Sequence, residues 1–281
     1  MDPNVFLNDD CWSTVVEFIG DLESLSNLCV CSSWLRTVSI KHYNACPWMR
    51  ASHDFDFRLR PGHEEKDDVI DGKDSSLRAR IKDKAMRTEE GMELLSCYAG
   101  QDHNAGHAEV DPFQFGGGPL SIEVKVRFKS FEQDWARVFD FRNSFDDSVA
   151  LMNFNHSFGF DPPRISLQVC RGSKRCTIGG NETVFTRNDW DHIVIAINDD
   201  TTRIYKNGIL GQVSTDAQEP KKMKRHFHTI GAMVHSSAAS YFRSGMSQHM
   251  HGTVAYFRMF DGIELSNEDV IKMYARRDEF Y

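Results

Sequence analysis

The chain lacks a run of the ~20 apolar residues needed to cross a bilayer, so the sequence offers no membrane-spanning segment. Its first ten residues include Asp2, Asp9 and Asp10 and hold neither a basic stretch nor an apolar core, unlike a secretory leader. There is no Cys-x-x-Cys. The seven cysteines, Cys11, Cys29, Cys31, Cys46, Cys97, Cys170 and Cys176, are odd in number, which suits neither a disulfide framework nor a zinc site. Cytosol, or nucleus, is the compartment these absences favour. Cys170 and Cys176 flank a short polar turn, and either a bond across a hairpin or two reduced thiols fits that spacing. Positive charge is also short. Lys plus Arg number 33 against 41 acidic residues, a net charge of -8 that disfavours nucleic acid and anionic membrane as partners. Gly116-Gly117-Gly118 lacks the Lys-Ser/Thr of a phosphate-binding loop. There is no strained nucleophile turn either, and nothing calls for a cofactor.

What is present divides the chain in three. Residues 1–47 read as short helices. Trp12, Val15, Val16 and Ile19 fall on one helical face, as do Leu22, Leu25 and Leu28, and then Val30, Trp34 and Val38. Residues 48–90 are charged, mixed in sign and poor in apolar residues, the composition of a linker, with Leu77 to Met86 as a transient basic helix. Residues 91–281 change period. Ile122, Val124, Val126 and Phe128 alternate with Glu123, Lys125 and Arg127, the pattern of a half-buried strand, and Ile165, Leu167 and Val169 repeat it. Further strands are expected at Arg137–Phe141, Val149–Phe154, Thr183–Thr186, Phe227–Gly231 and Gly252–Phe260. Ser266 to Asp269 forms a capping box before a final helix. Many short strands and little helix mean an antiparallel sandwich or barrel.

The sharpest local signal is Trp190-Asp191-His192-Ile193-Val194-Ile195-Ala196-Ile197. The isoleucines point one way, and Ile204-Tyr205 returns antiparallel to end at Asn207-Gly208. Asn-Gly tolerates positive φ at both centres of a type I′ turn, so a third strand starts at Ile209. Trp190, His192 and Tyr205 are either a ligand platform or packing residues, and the surrounding strands favour packing. This hairpin resembles that of laminin-G-like jelly rolls, members of the concanavalin A-like sandwiches. Phe115 to Val124, Arg137 to Phe141, and Gly252 through Ser266 match the same pattern. The resemblance implies a mainly β, antiparallel jelly-roll sandwich that binds a protein or glycan ligand.

A second resemblance lies upstream. Asp21-Leu22-Glu23-Ser24-Leu25 followed by Leu28-Cys29-Val30 and Trp34-Leu35-Arg36 is similar to the F-box, a small all-α unit. Asn8 stands where that family usually has Pro, and Leu35 separates Trp34 from Arg36. The resemblance implies a non-catalytic substrate receptor of a ubiquitin ligase. Its partner would be a Skp1-like adaptor protein, met through Leu7, Trp12, Val16, Ile19, Leu22, Leu25, Leu28, Val30 and Trp34. The alternative is a stand-alone carbohydrate- or protein-binding module.

An enzyme is a third reading. Glu109-Val110-Asp111-Pro112-Phe113-Gln114 has part of the Glu-x-Asp-x-x-Glu run of related glycoside hydrolases, but Gln114 replaces the second carboxyl that such catalysis needs. Pro112 also interrupts the strand. The expectation is therefore no catalytic residue. Two His-x-His pairs, His226/His228 and His249/His251, would suit zinc if antiparallel pairing joined them. A polar strand face is the plainer expectation, and no metal is called for. Asp140, Asp146 and Asp147 are either calcium donors or a solvated loop.

Overall fold

The computed structural model describes residues 46–59, 68–72, 76–95, 106–131, 134–144, 146–154, 163–216, 218–233 and 248–276. The F-box-like residues Leu7 to Trp34 lie outside them.

Two eight-stranded antiparallel sheets face each other. The first runs β15 (Ile209–Ser214), β14 (Thr202–Lys206), β13 (Asp191–Ile197), β8 (Leu120–Ser130), β18 (His251–Asp261), β5 (Gly91–Leu94) and β4 (Met86–Thr88), with β1 (His53–Asp56) also on β18. The second runs β12 (Lys174–Val184), β11 (Arg164–Arg171), β10 (Asp147–Phe154), β9 (Arg137–Ser144), β17 (Phe227–Ile230), β6 (His107–Val110), β3 (Arg78–Lys82) and β2 (Val69–Asp71). A two-stranded ribbon joins β7 (Phe113–Phe115) to β16 (Met223–Arg225). Among the described residues one α-helix, α1 (Asn267–Ala275), follows β18.

The core between the sheets follows from the two-residue period of each strand. From the first sheet come Ile193, Ile195 and Ile197 with Ile122, Val124, Val126 and Phe257. The second supplies Phe139, Phe141, Val149, Leu151, Leu167 and Val169. Phe139 and Phe141 meet Phe257 edge to face across the gap, at 5.5 and 5.1 Å between ring centres. Such contacts contribute about 1 kcal/mol each beyond burial.

The central hairpin has the expected geometry. Asn207 and Gly208 hold φ at 52° and 77°, and Lys206 pairs with Ile209. The Asn207 side chain accepts from the His192 amide at 2.9 Å while its own amide donates to the His192 carbonyl at 2.7 Å. Gly208 also lies against Tyr274, where an added Cβ would come within 3.0 Å of the ring. At the chain's last helix, Ser266 and Asp269 cap one another reciprocally, as their spacing implies.

The described residues of the stretch 48–90, expected as a linker, belong instead to the sandwich and its cover. β1 extends the first sheet, pairing Phe55 with Phe257, and β3 pairs with β6 of the second. Leu77 to Met86 is strand and turn rather than basic helix. These strands are too short for periodicity to show. In β3 only Ala79 and Ile81 turn inward, while Arg78, Arg80 and Lys82 alternate outward. Composition dominated by the solvent-facing half conceals the buried half.

Candidate functional site: the two outer faces

Each sheet has a second face, away from the core, and the two differ. On the first sheet, cross-strand rows place Tyr205, Val194, Glu123, Arg258 and Asp54 in one line, with Ala196, Ser121 and Phe260 in the next. A second apolar cluster covers them. Trp48 and Met49 from the Pro47–Met49 turn, Leu265, and Val270 and Met273 from α1 pack on Val194, Ala196, Tyr205 and Phe260. Beneath that cover, Glu123 Oε1 lies 2.7 Å from His192 Nε2 and accepts from the Tyr256 hydroxyl at 3.1 Å. Arg258 donates to Glu123 at 3.2 Å and to Asp54 at 3.0 Å. Burial pushes the Glu123 carboxyl up, but Arg258 and His192 together outweigh it and hold it below the usual carboxylate range. One buried arginine between two carboxylates, with His192 and Tyr256 on the same Glu123, is a structural network rather than a ligand site.

Tyr205 is therefore a packing residue. Trp190 is half-buried, with Arg127 and Lys125 over its ring at 4.6 and 5.4 Å.

The outer face of the second sheet is polar. Its rows read Arg175, Cys170, Ser148 and Arg142, then Thr177, Gln168, Ala150, Asp140 and Thr229, then Ser166, Met152 and Arg137. None of these belongs to either apolar cluster. In the middle of the sheet the row members are buried; at β12, Arg175 and Thr177 are exposed. The face thus opens toward β12.

Asp140 is the buried carboxylate of this face, 1% exposed. Arg142 donates to both its oxygens, from Nε at 2.6 Å and from Nη2. Arg137 Nε adds an ion pair at 3.3 Å. The Nη atoms of Arg137 meet thioethers, those of Met152 and of Met233, the latter at 3.8 Å. Burial pulls the Arg137 guanidinium down to about 10; Asp140 opposes that, while Arg142 and Arg175 add to it. The Gln168 amide, with its oxygen toward Arg175, accepts from Nε at 2.7 Å and from Nη2 at 2.5 Å. Asp147, at the end of the face, is held by the buried Arg225 at 2.8 Å. Asp140 and Asp147 are thus engaged by arginine, the opposite of an oxygen cage open to calcium.

The remaining candidates are dispersed. β17 pairs with β9 and β6, whereas β18 pairs with β8, β5 and β1, so His228 and His251 belong to different sheets. His228 sits among Phe113, Phe115 and Phe141, stacked on Phe113 at 4.1 Å, with Nε2 2.9 Å from the Arg225 carbonyl. Burial lowers its pKa to about 3. His226 is exposed, His249 lies 6.4 Å from the His107 ring, and His251 Nδ1 is 2.9 Å from the Ser130 hydroxyl. Among the described residues no cluster of three or more metal-binding side chains occurs. Asp111 accepts from Arg80 at 2.6 Å and from the Arg78 amide at 3.0 Å. Gln114 is on the separate β7–β16 ribbon, and Glu109 is half-exposed beside Lys82 and His107. Cys176 lies opposite Val169 and Cys170 opposite Arg175, so the two thiols point to opposite faces, and both are free.

Solved structures with the same fold share little sequence with this chain. Domain 4 of the extracellular arabinanase AbnA from Geobacillus stearothermophilus, in complex with arabinotriose, superimposes with a TM-score of 0.53 at 11% identity. That likeness covers 80% of this chain and 98% of that one. The receptor-binding domain of botulinum neurotoxin D gives 0.57 at 13% identity over 81% of this chain and 52% of that one. Trypanosoma rangeli sialidase in complex with sialic acid gives 0.53 at 10%, over 81% of this chain and 33% of that one. This chain therefore spans about half of the toxin domain and a third of the sialidase. No match is found among curated protein sequences. A laminin G-type family profile matches residues 102–270, from just before β6 into α1. By that match the chain belongs to the concanavalin A-like lectin/glucanases superfamily.

Proposed function

We propose that this protein is a non-catalytic carbohydrate-binding module and that the outer face of its second sheet, open at β12, is the binding surface. The observation that carries this is the asymmetry of the two outer faces. One is sealed by α1 and Trp48; the other turns Arg175 and Thr177 of β12 to solvent, in register with the buried Cys170 and Gln168 of β11. A flat array of hydrogen-bonding side chains on a rigid sheet is what sugar hydroxyls require, because the scaffold fixes the groups beforehand. Three structural neighbours give support. The arabinanase domain was solved with arabinotriose and the sialidase with sialic acid. Botulinum neurotoxin type C depends on interaction with two ganglioside molecules to enter cells.

The non-catalytic assignment rests on Gln114 and on the tie between Asp111 and Arg80, which leave neither other member of that run as a free carboxyl beside Glu109. A glycan array probed with the full chain is the direct test. Retention of at least one sugar class, weakened by Thr177→Trp on the exposed strand, is expected; a blank array rejects the proposal. Release of reducing sugar from a retained glycan, abolished by Glu109→Gln, would make the protein a hydrolase.

An adaptor role in a ubiquitin ligase is a second function that the same chain can carry, with the sandwich presenting its ligand. It is supported by Leu22, Leu25, Leu28, Val30 and Trp34 in the F-box-like pattern. Co-purification with Skp1, compared between wild type and Leu25→Asp/Trp34→Ala, decides it. Absence of Skp1 from the wild-type protein, where an authentic F-box retains it, removes the adaptor role.

A further inference from the structure

The second sheet carries more positive charge than its own carboxylates balance. Among the described side chains of β9 to β12, Arg137, Arg142 and Arg175 share the outer face with one carboxylate, Asp140; Glu109, further along the Asp140 row, lies beside Lys82 and His107. Arg142 takes both Asp140 oxygens, and Arg137 reaches that carboxylate only through Nε at 3.3 Å. The two Nη groups of Arg137 face Met152 and Met233, whose sulfurs are weak acceptors. Arg175 has the neutral Gln168 as its partner on this face. Asp147, the nearest further carboxylate on β10, is taken by Arg225. Beyond them the β11–β12 turn adds Arg171 and Lys174, both exposed. This local excess occurs in a chain of net charge -8, where nothing in the overall balance explains it.

A guanidinium nine-tenths buried with only one shared counter-ion is costly to hold, and an incoming anion relieves that cost. Its planar fork also matches a carboxylate, two N–H groups to two oxygens. Arg175 shares its row with Arg142, and Arg137 lies two rows along the same face. Exposure falls from Arg175 at the sheet edge to Arg142 and Arg137 at its middle, so a ligand entering over β12 meets Arg175 first.

We infer that the sugar taken by this face bears a carboxylate, as sialic and uronic acids do, and that Arg175 and Arg137 receive it while Arg142 remains with Asp140. This rests on the carbohydrate-binding proposal above and narrows it to acidic sugars. Gln168 and Thr177, in the row alongside, are placed for the neighbouring hydroxyls.

The test is calorimetric titration of the full chain with matched pairs, 3′-sialyllactose against lactose and trigalacturonate against galactotriose. Wild type should bind one acidic member at least about tenfold more tightly than its neutral match, the advantage shrinking with added salt. Arg175→Ala, at an exposed position, should remove most of the advantage by weakening the acidic member far more than its neutral match. Arg137→Met, which extends the Met152–Met233 surroundings, should do the same. Equal binding of acidic and neutral members overturns the inference and leaves the carbohydrate-binding proposal standing. An acidic preference untouched in both variants also overturns it, since the carboxylate then sits elsewhere. Failure to bind any of these sugars, together with a blank glycan array, rejects both.

Discussion

Two buried arginines, one on each outer face, differ in what surrounds them. Arg258 on the first sheet lies between Glu123 and Asp54, with His192 and Tyr256 completing the set, all beneath α1 and Trp48. Arg137 on the second sheet shares Asp140 with Arg142 and otherwise touches sulfur. The first is the cation its neighbours need; the second is one more cation than its neighbours need. Closed polar networks of the first kind specify a structure. Open ones of the second kind mark a candidate site for a ligand.

Substituting Arg258 should have the largest effect. Arg258→Met leaves Glu123 and Asp54 buried without their shared counter-ion, a loss of about 3–5 kcal/mol. Chemical denaturation at pH 7 should show it as a large drop in midpoint, and a drop below about 1 kcal/mol would mean that water already reaches that network.

His228 supplies the next test, since it occupies the core side of the second sheet behind the same β9. Its pKa is about 3 in the folded protein against an ordinary 6.5, so between those values the unfolded chain binds the extra proton. Stability is therefore full above pH 6.5 and falls as the pH is lowered toward 3, by up to about 1.4 kcal/mol per pH unit. Denaturation midpoints between pH 7.5 and 4.5 should show that slope. His228→Leu should flatten it, and an unchanged slope would assign acid sensitivity to other groups.

How far these differences can be read from sequence depends on the distance over which each is encoded. The core strands were legible because Ile122 to Phe128 and Ile193 to Ile197 each alternate within one segment, and Asn207-Gly208 names its own turn. β1 to β4 were not. Each spans three to five residues, and Asp54, Arg78 and Arg80 hide two or three inward residues from any windowed pattern. The candidate site was legible only in part. Asp140 and Arg142 flanking Phe141 announce a strand polar on its second face, yet the spacing of Asp140 to Asp146 and Asp147 equally suggests a calcium loop. Only strand register brings Arg175 into a row with Arg142, and register is a property of pairing between distant segments. The histidine pairs failed for the same reason, as the sheet to which each strand belongs is not written in its spacing.

The hairpin that turns on Asn207 and Gly208 belongs to the sealed side, because Tyr274 of α1 rests on it. Gly208→Ala places a Cβ against the Tyr274 ring and a side chain at φ 77°. A loss of about 1–2 kcal/mol is expected. Asn207→Ala, which removes the bond to the His192 amide, should cost about 1 kcal/mol.

The smallest change in stability is expected where the charge is in excess. Arg137→Met removes a guanidinium that is 4% exposed, yet Asp140 keeps both its bonds from Arg142. The new thioether joins those of Met152 and Met233 in an environment that already solvates sulfur. Exchanging an under-compensated buried ion for an apolar side chain of similar length is often neutral or stabilising, so the midpoint should stay within about 1 kcal/mol of wild type or rise. Set beside Arg258→Met, the same chemical substitution then has opposite consequences on the two faces. A loss above about 2 kcal/mol would show that Arg137 is compensated within the fold after all, and the case for an anion received from outside would lose its physical basis.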